Sequence, residues 1–336
     1  MNAVVLRELG EPEVLKLEKL PDPVPGPGDV VVRLNAAALN HRDIWIRRGR
    51  YAGIRLPIVL GSDGSGVVES VGTSADRSLV GRAVVINPSL DWGTDTRVQS
   101  ANFRILGLPD NGTYAERVAV PAENVVAKPE ALSFEEAAAV PLASLTAYRA
   151  VVTRAAVSPG ETVLVTGIGG GVALFVMQMC LVRGATVLVT SGSDEKIERA
   201  KALGASGGAN YASGDWVKAI LEKTSGRGPD VIIDSIGGET FERSLELVCP
   251  GGRIVTFGST TGAARSIEVR RIFWKQLSVL GSTMGTPEEF SSALAFYSTG
   301  SLKPVIDRTF QLADAAHAHR RMEAAEQFGK IVLRIQ

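Results

Sequence analysis

Two polar segments hold the side chains best suited to chemistry: Asn40-His41-Arg42-Asp43, followed by Trp45 and Tyr51, and Gly61-Ser62-Asp63-Gly64. An amide such as Asn40 or a phenol such as Tyr51 can donate a hydrogen bond to a carbonyl oxygen that gains negative charge, and Tyr51 or water can deliver a proton. Zn²⁺ needs thiolate, imidazole or carboxylate ligands closing a tetrahedral shell, and an Asn amide with a Ser hydroxyl is a poor substitute.

A cofactor has its own signature. An apolar strand, Val163-Leu164-Val165-Thr166, runs into Gly167-Ile168-Gly169-Gly170-Gly171-Val172-Ala173 and then into an apolar helix over residues 174–181. A glycine-rich turn between strand and helix lets the backbone approach a pyrophosphate, whose charge the helix N-terminus stabilises. Gly167, Gly169, Gly170, Gly171 and Val172 are the candidates for that contact. A site that prefers NAD usually places an acid at the end of the second strand to bind the ribose hydroxyls. Here that strand ends Val189-Thr190-Ser191-Gly192-Ser193, and Asp194 reads as the start of the next helix. Ser191 leaves space for a 2′-phosphate, while Lys196 either supplies its countercharge or lies on a solvated helix face. The cofactor expected is NADPH.

Hydride transfer to the β-carbon of a conjugated carbonyl asks the protein to orient a nicotinamide and to stabilise charge on oxygen. Alcohol oxidation also requires deprotonating a hydroxyl, which a metal would assist. Reduction of an activated alkene or quinone is the better fit. The alternatives are a zinc-independent alcohol or aldehyde dehydrogenase and an NADPH-binding protein with little turnover. Of the three histidines, His41 alone lies near the pocket residues, as a pocket wall, a hydrogen-bonding group or a proton relay. His317 and His319, beside Arg320 and Arg321, read as a solvated helix face. No Ser-His-Asp arrangement or CxxC spacing supports nucleophilic or disulfide chemistry.

The elements that must position these residues fall into two patterns. The chain has 336 residues, enough for two domains, and 45% of them are apolar, enough for sizeable cores. Up to about residue 126 the apolar runs are short and alternating, at 30–34, 66–71, 82–86 and 114–120, as in a β-rich barrel. Residues 87–111 are polar and aperiodic, a protruding lobe held by Leu90, Trp92, Phe103 and Ile105 or else mobile. After Ser133-Phe134-Glu135-Glu136, a helix N-terminus, strands at 162–166, 186–190, 210–211, 230–234, 253–257 and 277–280 alternate with helices such as 194–203 and 238–248. That alternation predicts a doubly wound parallel sheet. Strands 253–257 and 277–280 read as apolar sheet edges, and an exposed apolar edge is normally covered, so a homodimer is expected. The closing strand, 330–335, returns to the β-rich domain. Basic and acidic residues balance at 36 each, so nothing points to nucleic acid or anionic lipid. The N-terminus has no signal-like core, no apolar run reaches membrane-spanning length, and the two cysteines, Cys180 and Cys249, lie in buried-type segments. A cytoplasmic protein without disulfides is expected.

Across nearly its whole length the chain resembles the medium-chain dehydrogenase/reductase superfamily, within it the zinc-free quinone oxidoreductase branch. The resemblance is carried by residues 38–43, 59–68, 112–116, 145–148, the 167–173 loop and 329–333. It implies an α/β protein with a GroES-like β-rich catalytic domain, residues 1–126 completed by 270–336, and a Rossmann domain, 127–269. It also implies an active site in the cleft between them. In zinc alcohol dehydrogenases a metal-binding Cys and His stand where Asn40 and Ser62 stand here, so the resemblance implies no bound metal and leaves the chemistry to a cofactor and hydrogen bonds. In quinone oxidoreductases an Asn and an acid match Asn40 and Asp43, and an aromatic and a Tyr match Trp45 and Tyr51, around the nicotinamide and substrate. The resemblance further places Lys196 and Tyr211 against the NADP phosphate, and Thr146, Gly258 and Lys330 in cofactor-contacting segments. It gives the catalytic roles to Asn40, Tyr51 and Asp43, with Trp45 and His41 lining the pocket for a small carbonyl or quinone substrate. The 87–111 lobe has the length of the family's structural-zinc lobe but lacks cysteine.

Overall fold

The computed structural model describes residues 1–335, which divide into two compact units, 1–145 with the residues from 285 onward, and 146–284. Both boundaries lie beyond those expected at 126/127 and 269/270. At the first, the helix Phe134–Ala138 packs Ala138 and Ala139 against Ala36, Ala38 and Val332, small residues that let a helix lie close on a sheet. At the second, the strand Ser278–Gly281 completes the sheet of the other unit by pairing with Arg253–Thr256.

The first unit is built on a seven-stranded sheet, with the long strand Asp29–Ala38 at its centre. It is buried on both faces, with Val30, Val32 and Leu34 in one apolar cluster and Ala37 in another. On one side it pairs antiparallel with Asp63–Val71, Ala38 opposite Asp63; on the other it pairs antiparallel with Lys330–Arg334, Ala38 opposite Val332. Continuing that second register by two residues sets Asn40 opposite Lys330. Three segments far apart in sequence therefore converge at one sheet end. The 87–111 lobe is ordered by packing: Ser89–Leu90 pairs with Arg104–Ile105, and Trp92, 2% exposed, meets the Phe103 ring edge-on at 5.5 Å. Arg104 adds ion pairs to Asp91 and Asp110.

The second unit is a six-stranded parallel sheet, ordered Gly207–Asn210, Thr186–Ser191, Thr162–Val165, Val231–Asp234, Arg253–Thr256, Ser278–Gly281. The strand expected at 210–211 lies earlier, at Gly207–Asn210, and Tyr211 follows it. Arg253–Thr256 is not an edge, because it is paired on both sides; Ser278–Gly281 alone is the edge on that side. Beside it the helix Val269–Trp274 buries none of its residues. Among the described residues no helix is long and apolar enough to cross a membrane, and Cys180 and Cys249 are free and buried.

Candidate active site

The loop after the central strand turns into the helix His41–Arg47, with Asn40 as its N-cap. Asp43 reaches back one turn and accepts from the Asn40 backbone N–H through Oδ2 at 2.8 Å, satisfying a donor that a helix start leaves open. The same oxygen accepts from the Tyr114 hydroxyl at 2.9 Å, while Oδ1 has no partner. Tyr114 is held against Gly61, which has φ +98° and where a Cβ would lie 2.4 Å from the ring. Burial, above all, raises the Asp43 carboxyl above its usual range and pushes the Tyr114 phenol up further. Asp43 thus ties the helix start to Tyr114 from inside the core.

Asn40, 7% exposed, is engaged at both ends of its amide. Lys330 Nζ donates to Oδ1 at 2.8 Å, and Nδ2 donates to Asp63 Oδ2 at 3.0 Å. Lys330 also donates to Asp63 Oδ2 at 2.9 Å and to the Leu39 carbonyl at 2.7 Å, and Asp63 Oδ1 accepts from the Leu142 N–H at 2.7 Å. An ammonium has three donor hydrogens. Those of Lys330 have three acceptors within its own unit, so the cofactor contact that the resemblance implied for it has no donor left.

Arg42, which the sequence did not single out, fills the neighbouring space. Its Nη1 donates to Ser62 Oγ at 2.7 Å and to the Leu106 carbonyl at 2.8 Å, and Ser62 Oγ in turn donates to Leu106 at 2.7 Å. The guanidinium lies 5.1 Å from the centre of the Tyr51 ring, a cation–π contact. Tyr51 and Trp45 are half-buried and His41 is exposed.

Deeper in the unit lies a correction. His319 is not on a solvated face but fully buried, its ring edge-on to Tyr114 at 6.0 Å, and Nδ1 accepts from Arg47 Nε at 3.4 Å. Its neighbour His317 is exposed beside Asp314. A helix with small Ala315 and Ala318 on its inner face carries His319 inward with them, a pattern masked by the flanking arginines. Burial first, then the Arg47 charge, lowers its pKa to about 3.

In the second unit Ser191, Tyr211 and Gly258 lie at or just after the C-terminal ends of parallel strands, the end where such sheets bind ligands. The glycine turn follows Thr162–Val165 and opens the twelve-residue helix Gly171–Val182, with Gly170 as its N-cap. A Cβ on Gly170 would meet nothing within 4 Å, leaving space above the helix N-terminus. Gly169 has φ +120°, and a Cβ there would lie 3.3 Å from Lys196 Nζ, so the ammonium sits beside the turn. Similarly a Cβ on Gly192 would lie 3.0 Å from the Tyr211 ring. Gly258 packs against Ser235, and Thr146 is buried with its hydroxyl 3.9 Å from Met284 Sδ. Asp234, also missed, braces the turn from below: it accepts from Thr166 Oγ1 at 2.6 Å and from the Gly237 N–H at 3.1 Å. No carboxylate ends Thr186–Ser191, and Asp194 is the first residue of the next helix. An open helix N-terminus, bare glycine backbone and an adjacent ammonium fit a nicotinamide dinucleotide.

Comparison with known proteins agrees with this geometry. The alcohol dehydrogenase GroES-like domain family matches residues 26–130, and the zinc-binding dehydrogenase family matches residues 171–299. A zinc-type alcohol dehydrogenase-like protein YogA of Leptosphaeria maculans is 35% identical over 96% of this chain and 94% of its own length. The chain belongs to the medium-chain dehydrogenase/reductase superfamily. Within the superfamily it is also similar to a quinone oxidoreductase of Pseudomonas aeruginosa, 32% identical over 96% of each protein. A solved NAD-dependent alcohol dehydrogenase is 44% identical, with TM-score 0.95 and 100% of both chains covered. As a medium-chain dehydrogenase/reductase the protein is an oxidoreductase of small molecules that uses a nicotinamide cofactor.

Proposed function

We propose that the protein is a zinc-free, NADPH-dependent reductase of activated alkenes or quinones. One observation carries the reading: the two positions at which zinc-type relatives hold their metal are filled by groups bonded to one another's neighbours. Asn40 has both amide atoms committed, and Ser62 is bracketed by the Leu106 carbonyl and the Arg42 guanidinium. A fixed cation 2.7 Å from Ser62 Oγ opposes a second cation there.

Gly167, Gly169, Gly170, Gly171 and Val172 would hold the pyrophosphate, with Thr146 and Gly258 along the rest of the cofactor. Ser191, Lys196 and Tyr211 would hold the 2′-phosphate; the ammonium beside the turn and the lack of a strand-end acid favour NADPH over NADH. NADPH, when bound, would supply the hydride, two electrons with one hydrogen, that the β-carbon of the substrate takes up. Asn40 donates its remaining N–H to the carbonyl oxygen, which takes up the negative charge. Tyr51 or water adds the proton at the α-carbon, completing the reduction. Trp45 and His41 border the pocket. Asp43 orients the helix start and touches no reacting atom.

The molecule also works as a homodimer in the cytoplasm, in this reading. Val269, Phe273 and Trp274 are 61%, 60% and 80% exposed beside the open edge strand, and a second copy adding its own edge would cover both. The test of the function is a panel of quinones, enones, enoyl thioesters, aldehydes and alcohols with NADPH and NADH, alongside elemental analysis. Turnover confined to alcohols, or one zinc per chain whose chelation abolishes activity, would overturn it.

A further inference from the structure

We propose that Lys330 and Asp63 are positioning residues that lock the Asn40 amide with its oxygen turned inward and one N–H free, so that Asn40 offers the substrate a donor and never an acceptor. This rests on the reading that Asn40 serves the substrate carbonyl. The lock follows from the chemistry of the partners. An ammonium can only donate, so the Asn40 atom 2.8 Å from Lys330 Nζ must be the oxygen. A carboxylate can only accept, so the atom 3.0 Å from Asp63 Oδ2 must be the nitrogen. Turning the amide over would break both bonds at once.

The lock is itself anchored. Asp63 is fully buried and fixed through its other oxygen by the Leu142 N–H, and Lys330 is 3% exposed with its donors filled. Of the two Nδ2 hydrogens Asp63 takes one, and the other has no protein partner among the described residues. The cation on the amide oxygen draws electron density from the nitrogen, which strengthens that free N–H as a donor in a low-dielectric setting. Such a group favours an oxygen that accepts throughout the reaction, a ketone, thioester or quinone carbonyl. An alcohol must place its own hydrogen, and Asn40 gives it no acceptor. Lys330 and Asp63 thereby set the substrate class without touching the substrate.

The experiment uses the full chain with ¹⁵N-asparagine and follows hydrogen exchange of the Asn40 side-chain amide, together with kinetics on an accepted enone. In the wild type one Nδ2 hydrogen is expected to exchange slowly and the other fast. The double variant Lys330→Met/Asp63→Leu leaves neither a buried unpaired charge nor an acceptor for the Asn40 amide; it should lose the slow hydrogen and lower kcat about 10²-fold, with NADPH affinity held within about twofold. If it does not fold, the wild-type exchange decides by itself: two Asn40 Nδ2 hydrogens exchanging at one rate would overturn the lock. Weakened NADPH binding with kcat intact would make Lys330 a cofactor contact and overturn the proposal, as would unchanged exchange. A wild type that reduces no enone or quinone refutes the functional reading, while amide exchange still decides the lock.

Discussion

The polar cluster around Asn40 in the first unit and the glycine turn of the second are built by opposite means. The pocket is made of buried charged and polar side chains gathered over long distances, Asn40 meeting Lys330 across 290 residues. The turn is made of bare backbone within a short strand–turn–helix, open above Gly170. One has almost every polar atom committed to a partner; the other leaves open space above Gly170. The first should therefore fail by losing a charge, and the second by losing affinity with the fold intact.

The largest effect should come from Lys330→Met. Removing one member of a buried pair leaves Asp63 charged without its partner, which costs about 3 to 5 kcal/mol of stability in urea unfolding. A loss under about 1 kcal/mol would mean that the pair is not sealed from water, and the contrast between the regions would go. Next in size is Trp274→Asp, on the exposed helix beside the edge strand. A central aromatic at an interface is worth about 2 kcal/mol or more, so light scattering at micromolar concentration should show a dimer become a monomer. A wild type already monomeric there would refute the dimer.

Lys196→Ala tests the open region. Loss of a charged phosphate contact amounts to about 1.5 to 3 kcal/mol, so NADPH binding should weaken roughly 10- to 100-fold with NADH and unfolding little changed. Equal losses for both cofactors would place Lys196 away from the 2′-phosphate. The effect confined to acid conditions comes from His319. Its folded pKa lies near 3, against about 6.5 unfolded, so the unfolded chain binds the proton first as the pH falls. The stability it contributes is intact above about pH 6.5 and is lost toward pH 3, with a slope of up to about 1.4 kcal/mol per unit. His319→Asn should flatten that slope between pH 6.5 and 5; the same decline in variant and wild type would assign it to other groups.

The same contrast explains what the sequence revealed. The glycine turn, its strand and its helix were legible because the signal is local: the residues that bend the backbone adjoin the residues they serve. The strands named for both units were legible to within a few residues, while Asn2–Leu6, Leu15–Lys19, Val125–Ala127 and Ile306–Gln311 went unread. The pocket's candidates Asn40, Asp43 and Tyr51 came by resemblance, but their partners did not. Lys330 opens an alternating strand and Asp63 ends a glycine-rich segment, and only the register that sets Ala38 opposite both Asp63 and Val332 brings them to Asn40. Tyr114 and Arg42 were hidden likewise, because a contact across 71 or 20 residues leaves no periodic trace. His319 was misread because charged neighbours outweigh two alanines in any reading of a helix face.

The central claim is that this pocket stabilises charge on a carbonyl oxygen by hydrogen bonds in place of a metal. Single-turnover hydride transfer from NADPH to an accepted enone, followed in a rapid-mixing instrument with chelator present, tests it in the wild type, Asn40→Ala and Tyr51→Phe. The chemical step should survive chelation in the wild type and fall about 10²-fold in each variant, with NADPH affinity preserved. Full chemical rates in both variants, or a wild type silenced by chelation, would contradict it.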